Sequence, residues 1–223
     1  MTQKAISALP HPVNAATGAK YLADDDDFDF SLPGHFPLDW QRVYSSRDDR
    51  TEGMFGQGWS VMYEVSLGRT PGTADENCMT FVSGMGRRLD MEAVLPGSGF
   101  YSPGEGLAVR RGEQGHWLIS SDDGQFFLFE ADPHHPQRQR LKMLGDRNSN
   151  CLNLYYDELG RITQISGEQQ RPCIRLHYEL AAHPRRVTQI YQHFPETAPL
   201  LLRRYRYDEA GDLNGVYDST GHL

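Results

Sequence analysis

The chain has 223 residues and a formal net charge of −8, so a broad phosphate-binding face, which needs clustered Lys and Arg, is excluded. Eleven Tyr, 10 Phe and 3 Trp, together with 22 Gly and 13 Pro, favour strands and turns over helices. A hydrophobic fraction of 38% rules out a disordered chain and supports a packed core.

Cys78, Cys151 and Cys173 form an odd set without a CxxC pair, as expected for free thiols in a protein made in a reducing cytoplasm. Met1 to Pro10 lacks the apolar stretch of a signal peptide, and no run approaches the length of a membrane span.

In chain order, His11 to Lys20 is rich in turn residues. The acidic run Asp24 to Asp27 reads as a solvated loop, because it lacks the alternate carboxylates and central Gly of a calcium loop. Leu38 to Tyr44 alternates apolar and polar residues and predicts a half-buried strand. Val61, Tyr63, Val65 and Leu67 predict a second strand with one buried face. From residue 78 onward the pattern predicts consecutive hairpins: 79–82 with 87–92, 117–120 with 125–130, and 141–144 with 151–156. No stretch of 11 or more residues carries an uninterrupted helical stripe.

The end of the chain repeats itself. Leu152-Asn153-Leu154-Tyr155-Tyr156, Ile174-Arg175-Leu176-His177-Tyr178 and Arg203-Arg204-Tyr205-Arg206-Tyr207 are three alternating strands, each ending in Tyr. Asp157 and Gly160 follow the first, and Asp208 and Gly211 follow the third at the same offsets. The second has Glu179 and Ala182 instead, with a longer loop. Arg161-Ile162-Thr163-Gln164-Ile165 and Arg186-Val187-Thr188-Gln189-Ile190 are near-copies on the return strands. The Asp accepts a backbone N–H two residues on, and the Gly supplies a positive φ. The terminal Tyr is expected to pack on the equivalent ring of a neighbouring hairpin, with its hydroxyl reaching water or turn backbone. Tyr156, Asp157, Gly160, Tyr178, Tyr207, Asp208 and Gly211 are therefore structural repeat residues.

Tyr156-Asp157-Glu158-Leu159-Gly160-Arg161-Ile162 and Tyr207-Asp208-Glu209-Ala210-Gly211-Asp212-Leu213 resemble the YD repeat of Rhs proteins. Asp146-Arg147-Asn148-Ser149-Asn150 resembles the link between such repeats, with Ser149 where Gly is usual. His11 to Gly18, Phe30 to Gly34, Leu38 to Ser45 and Gly56-Gln57-Gly58-Trp59-Ser60 resemble the domain that opens the Rhs core. The resemblance implies an all-β fold in which consecutive antiparallel β-hairpins form an extended, curved sheet, the start of a β-shell. It divides the chain into an opening domain (1–77), a hairpin segment (78–145) and YD repeats (146–223) with an incomplete last unit.

The function that the resemblance implies is structural: a segment of an Rhs-type polymorphic toxin whose shell encapsulates a C-terminal toxin. Interbacterial competition through type VI secretion is the implied setting. The implied partners are the rest of the shell, the enclosed toxin, and a secretion spike or effector chaperone. The protein is expected to be made in the bacterial cytoplasm and secreted without a classical signal peptide. The family's autoproteolytic aspartate motif, variable toxin domain and spike-binding domain have no counterpart here. The repeat breaks off in mid-unit at Leu223, so the chain reads as the opening piece of a longer shell.

No catalytic, metal or cofactor residue is assigned, and no cofactor is expected. His134-His135 flank each other in a Pro-bounded loop and diverge, and His116, His177 and His193 lack zinc-helix spacing. No GxSxG, Walker A, GxGxxG or HExxH occurs, and Gly97-Ser98-Gly99 lacks a strand–elbow–helix context. The alternative is a carbohydrate- or cell-surface-binding β-repeat module, with Trp117, Tyr155 and Tyr191 as its exposed aromatics.

Overall fold

The computed structural model describes residues 21–22, 28–46, 52–84 and 86–221. The turn-rich stretch 11–20, the acidic run 24–27 and Leu223 lie outside the described residues.

The opening part holds short strands. β1 (Tyr21–Leu22) pairs with β4 (Arg42–Ser45), which pairs with β5 (Trp59–Val61). β2 (Phe30–Leu32) pairs with β3 (Leu38–Trp40). β6 (Ser66–Arg69), β7 (Met79–Val82) and β8 (Arg88–Asp90) form a meander.

The rest is a succession of hairpins. β9 (Gly99–Ser102), β10 (Leu107–Arg111), β11 (Trp117–Ser121), β12 (Phe126–Ala131) and β13 (Arg138–Gly145) pair in chain order. β14 (Cys151–Tyr156), β15 (Ile162–Ser166), β16 (Cys173–His177), β17 (Gln189–Phe194), β18 (Thr197–Tyr207) and β19 (Leu213–Tyr217) continue the order. All these pairings are antiparallel, and the 14-stranded sheet, which includes β6 to β8, stays open. The predicted fold class, all-β with consecutive antiparallel hairpins in an extended sheet, is the one observed.

Two predicted strands break. Leu38 to Tyr44 splits at Gln41, and its halves enter different sheets. Val61 to Leu67 is interrupted by a single 3₁₀ turn, Met62–Glu64. The Glu64 carboxylate folds back to accept the N–H of Met54 (2.7 Å) and of Val61 (3.3 Å), which favours a turn over extension. Val61, Tyr63, Val65 and Leu67 are nevertheless all buried. A second 3₁₀ turn, Glu168–Gln170, links β15 to β16.

The core lies between the opening part and one face of the sheet. Trp40 is fully buried and stacks on Phe30 (5.8 Å) and Tyr63 (5.3 Å), with Phe55 edge-on (6.3 Å). Phe55 in turn meets Tyr205 of β18 edge-on at 5.0 Å. From the sheet, Ile119, Phe129, Leu144, Leu152, Ile165, Ile174 and Ile190 face this layer, each 0–1% exposed. Burying such side chains contributes about 1.5–3 kcal/mol each, so the two parts stabilise each other. β6 to β8 join the sheet through a fork. β13 pairs along one edge with β6 (Arg138↔Gly68, Gln139↔Leu67) and then with β14 (Met143↔Asn153 to Gly145↔Cys151).

Candidate functional site

The Asp and Gly of the repeat build one turn. Asp157 Oδ1 accepts the N–H of Leu159 and of Arg161, both at 3.0 Å, while Oδ2 receives the Arg161 guanidinium at 2.7 Å. The Gly160 N–H returns to the Asp157 carbonyl, and Gly160 sits at φ +70°. Asp208 and Gly211 form the same turn, with Asp212 N–H on Asp208 Oδ1 at 2.9 Å and Gly211 at φ +82°. The Asp146 turn has the same backbone bonds, and there Ser149 takes the left-handed position at φ +66°. The second repeat turns later, with Arg186 N–H on the His183 carbonyl.

The terminal tyrosines do not pair ring on ring. Each hydroxyl instead reaches a carbonyl of the preceding return strand, where that strand splays. Tyr156 donates to Leu141 (2.6 Å), Tyr178 to Ile162 (2.7 Å), and Tyr207 to Val187 (2.5 Å). The residue before each acceptor is Arg. Arg140 lies over the Tyr156 ring (5.3 Å to the centroid) and Arg161 over the Tyr178 ring (4.6 Å). A guanidinium satisfies the negative ring face better than a second ring does. Burial pushes the Tyr156, Tyr178 and Tyr207 phenols well above their usual value.

The third unit departs from the ladder, because Arg186 leaves it to serve as a weld. Arg186 is 7% exposed; its Nε donates to the Gly211 carbonyl (2.6 Å) and its Nη1 to the Gly53 carbonyl (2.7 Å). Around it, the Val187 N–H binds the Met54 carbonyl, the Leu213 N–H binds Phe55, and the Gln57 N–H binds Asp212 Oδ1. The Tyr207 hydroxyl also lies 3.0 Å from the Met54 carbonyl. A Cβ on Gly56 would fall 2.7 Å from the Gly211 carbonyl, so glycine is required for this close approach. A second weld joins Asp29 to Arg42 (2.6 and 2.9 Å), with the Tyr205 hydroxyl donating to Asp29 at 2.8 Å. Residues 53–57 are thereby stitched to 186–213.

Sequence reasoning named the Tyr, Asp and Gly residues but gave no role to Arg140, Arg161 or Arg186. A signal was present: Arg-Leu, Arg-Ile and Arg-Val precede the three tyrosines, with hydrogen-bond separations of 15, 16 and 20 residues. Of the aromatics proposed as exposed, Trp117 is not: it is 2% exposed and lies under Arg111. Tyr155 is 44% exposed, and Tyr191 is half-buried against His177. All three cysteines are free, and burial raises the thiols of Cys151 and Cys173.

At the fork lies a cleft of about 520 Å³ between the opening part and the sheet. Tyr156 and Tyr178 form its inner wall beside Arg140 and Arg161. Arg88, Arg138 and Arg185 line it from three separate segments. Among the described residues no helix is long and apolar enough to cross a membrane.

An open sheet of sequential hairpins, in which the Tyr156 and Tyr207 strands run into the same Asp–Gly turn, is a repeat scaffold. Residues 10–91 match a family described as a domain of unknown function, DUF6531. Over 95% of its length the chain is 34% identical to the toxin protein Tse5 of Pseudomonas aeruginosa, and it covers 18% of that relative. Over 98% of its length it is 24% identical to the double-stranded DNA deaminase toxin A of Burkholderia cenocepacia, and it covers 15% of that relative. The crystal structure of TcdB2-TccC3-Cdc42 contains a similar region, with a TM-score of 0.47 and 12% identity, covering 83% of this chain and 15% of that one. The chain is thus related to the Rhs-type polymorphic toxins, and it spans less than a fifth of the length of these curated relatives.

Proposed function

We propose that this chain is a structural segment of an Rhs-type polymorphic toxin. It contributes to a β-shell that encloses a toxin domain carried elsewhere in the same protein. The observation that carries this reading is the weld. Residues 53–57 are tied by Arg186 and Tyr207 to a hairpin more than 100 residues away, which fixes the opening part against an open sheet that further hairpins can extend. The polar groups of the repeat are engaged in turns and splayed strand ends, so the chain itself is read as non-catalytic. Cytoplasmic synthesis, type VI delivery without a classical signal peptide, and contacts with a secretion spike or chaperone belong to the same proposal.

The test is limited proteolysis of the full-length gene product, comparing wild type with an Arg186→Met, Tyr207→Phe double variant. The reading expects a C-terminal domain that resists protease in the wild type and becomes cleavable in the variant. A C-terminal domain digested equally fast in both proteins, or a gene product with no further domain, overturns it.

A further inference from the structure

The loop between β15 and β16 is held in a conformation that its residues resist. Gln169 and Gln170 both take left-handed backbone, at φ +49° and +62°. Such angles press the Cβ of an L-residue against the backbone, and glutamine lacks the short polar side chain that offsets this in Asn or Asp. Among the described residues the other non-glycine at positive φ is Ser149, which stands alone in its turn. Few bonds hold the loop down. The Gly167 N–H meets the Pro172 carbonyl (2.8 Å), and the Arg171 N–H meets the Glu168 carbonyl (2.9 Å). Gln170 Oε1 accepts from Gln164 Nε2 (2.9 Å) and, weakly, from the Cys173 thiol (3.8 Å). Residues 168–171 are all exposed.

What lies beneath the loop favours its release. Ser166 and Cys173 pair across the two strands and are 1% and 5% exposed. Alternation turns them away from Ile165 and Ile174, which belong to the core, so the core does not cover them. Arg175, on the same face of β16 but farther from the loop, is exposed. The cover is therefore the loop, and its Gln170 side chain reaches Cys173. Ser166 Oγ has no hydrogen-bond partner. A buried hydroxyl without a partner is a cost that water removes once the cover lifts. The far end of the loop stays anchored, because Pro172 is buried and a Cβ on Gly34 would fall 2.6 Å from Pro172 Cδ. Release thus moves residues 168–171 and leaves β15 and β16 paired.

We infer that residues 168–171 form a strap that opens while the sheet stays paired, and that its opening makes the Cys173 thiol a modification site for small disulfides. In the closed form burial raises this thiol above its usual value, which keeps it protonated and unreactive. In the open form the thiol gives its proton to water, and the thiolate attacks one sulfur of the disulfide. A mixed disulfide forms on Cys173, and the other half leaves as a thiolate. The site needs only this hairpin and stands apart from the shell reading.

The test is the rate of reaction with dithiobis(nitrobenzoate) in a Cys78→Ser, Cys151→Ser background, without denaturant, read as release of the coloured thiolate. The same chain unfolded in urea gives the rate of an uncovered thiol. Cys173 is expected to react completely but more slowly than that reference, in proportion to the fraction of open strap. Gln169→Gly relieves the backbone and is expected to slow the reaction by about two- to fivefold. Ser166→Ala removes the unpaired hydroxyl and is also expected to slow it. Gln170→Ala removes the hold on Gln164 and is expected to speed it by about twofold or more. Ile119→Val, in the core of β11, is expected to lower the urea midpoint and leave the rate unchanged. A rate that rises with Ile119→Val as the midpoint falls overturns the inference, because the thiol is then reached only by global unfolding. A wild-type rate equal to the unfolded reference, or rates indifferent to Gln169→Gly and Gln170→Ala, also overturn it.

Discussion

Arg186 donates its guanidinium to the carbonyl of Gly53 at 2.7 Å, across 133 residues of sequence. The same side chain holds the Gly211 carbonyl on the turn of the third repeat. One buried cation therefore closes the opening segment onto a turn that forms only when the last hairpin pairs. Arg186→Met removes two charge-assisted hydrogen bonds and is predicted to cost about 3 kcal/mol. Urea denaturation followed by circular dichroism measures this as a lower midpoint.

The tyrosine hydroxyls are predicted to differ from the rings that carry them. Tyr156→Phe and Tyr178→Phe keep the ring under its arginine but leave the Leu141 and Ile162 carbonyls without their phenolic donor. Each is expected to cost about 1–2 kcal/mol. Tyr207→Phe is expected to cost a similar amount, because its single proton goes to the nearer Val187 carbonyl and the Met54 carbonyl already accepts the Val187 N–H. Tyr155→Ala, on the open face and 44% exposed, is expected to stay within about 0.5 kcal/mol of wild type. Comparison of the four denaturation midpoints checks the order.

The turns provide a matched set. Ser149 occupies the left-handed position that Gly holds in the sister turns, so Ser149→Gly is predicted to stabilise by about 0.5–1 kcal/mol. Gly160→Ala meets nothing within 4 Å and is expected to cost about 1 kcal/mol of backbone strain alone. Gly211→Ala places its Cβ 2.6 Å from the His183 ring and is expected to cost more, with His183→Ala recovering most of the difference. Thermal melts of the single and double variants measure each step.

Both ends of the pH scale are predicted to unfold the chain. Burial alone raises Asp157, but the Arg161 side chain, then the Arg161 and Leu159 N–H groups, outweigh it and hold the carboxyl below the usual range. At Glu130 burial is likewise outweighed, by Lys142 and Arg140, and at Asp146 the Asn150 side chain leads the lowering. A depressed folded-state pKa contributes stability above the unfolded value, about 4, and that stability is lost as pH falls through the folded value. The Tyr156, Tyr178 and Tyr207 phenols are raised by burial, so their contribution is complete below about pH 10 and is lost as pH rises beyond it. Melts between pH 2 and 12 are expected to show an acid limb that flattens in Asp157→Asn. They are also expected to show an alkaline limb in which the tyrosinate absorbance of these three rings, read as the difference between wild type and the Tyr156→Phe, Tyr178→Phe, Tyr207→Phe variant, and loss of circular dichroism rise together. That difference absorbance forming near pH 10 with the circular dichroism unchanged would contradict the burial of these rings.

What the sequence made legible was local. Alternation placed the hairpins from Met79 onward, and the Asp-x-x-Gly spacing located the turns, because both signals act over a few residues. The fork of β6 and β14 on β13 left no trace, since nothing near Leu67 specifies a partner at Gln139. Arg186 was seen only as part of a repeated pentapeptide, and its partner Gly53 carries no side chain to mark it. Trp117 counts as an exposed aromatic only under the alternative of a surface-binding module, since alternation in its strand does not say which face is covered. It is buried, with the Arg111 guanidinium 5.1 Å from its ring centroid. The tyrosines were expected to stack because ring pairs are the usual cross-strand contact, but each return strand offers a splayed carbonyl and two of them an arginine over the ring, which is the better match for a phenol.

The most direct test of the account is hydrogen exchange, followed residue by residue, in wild type and Arg186→Met. Residues 53–57 and 186–213 are predicted to open as one unit, with equal protection in the wild type and an equal loss in the variant. Exchange at 53–57 that proceeds independently of 186–213, or that is unchanged by Arg186→Met, would contradict the claim that the opening segment is welded to the third repeat.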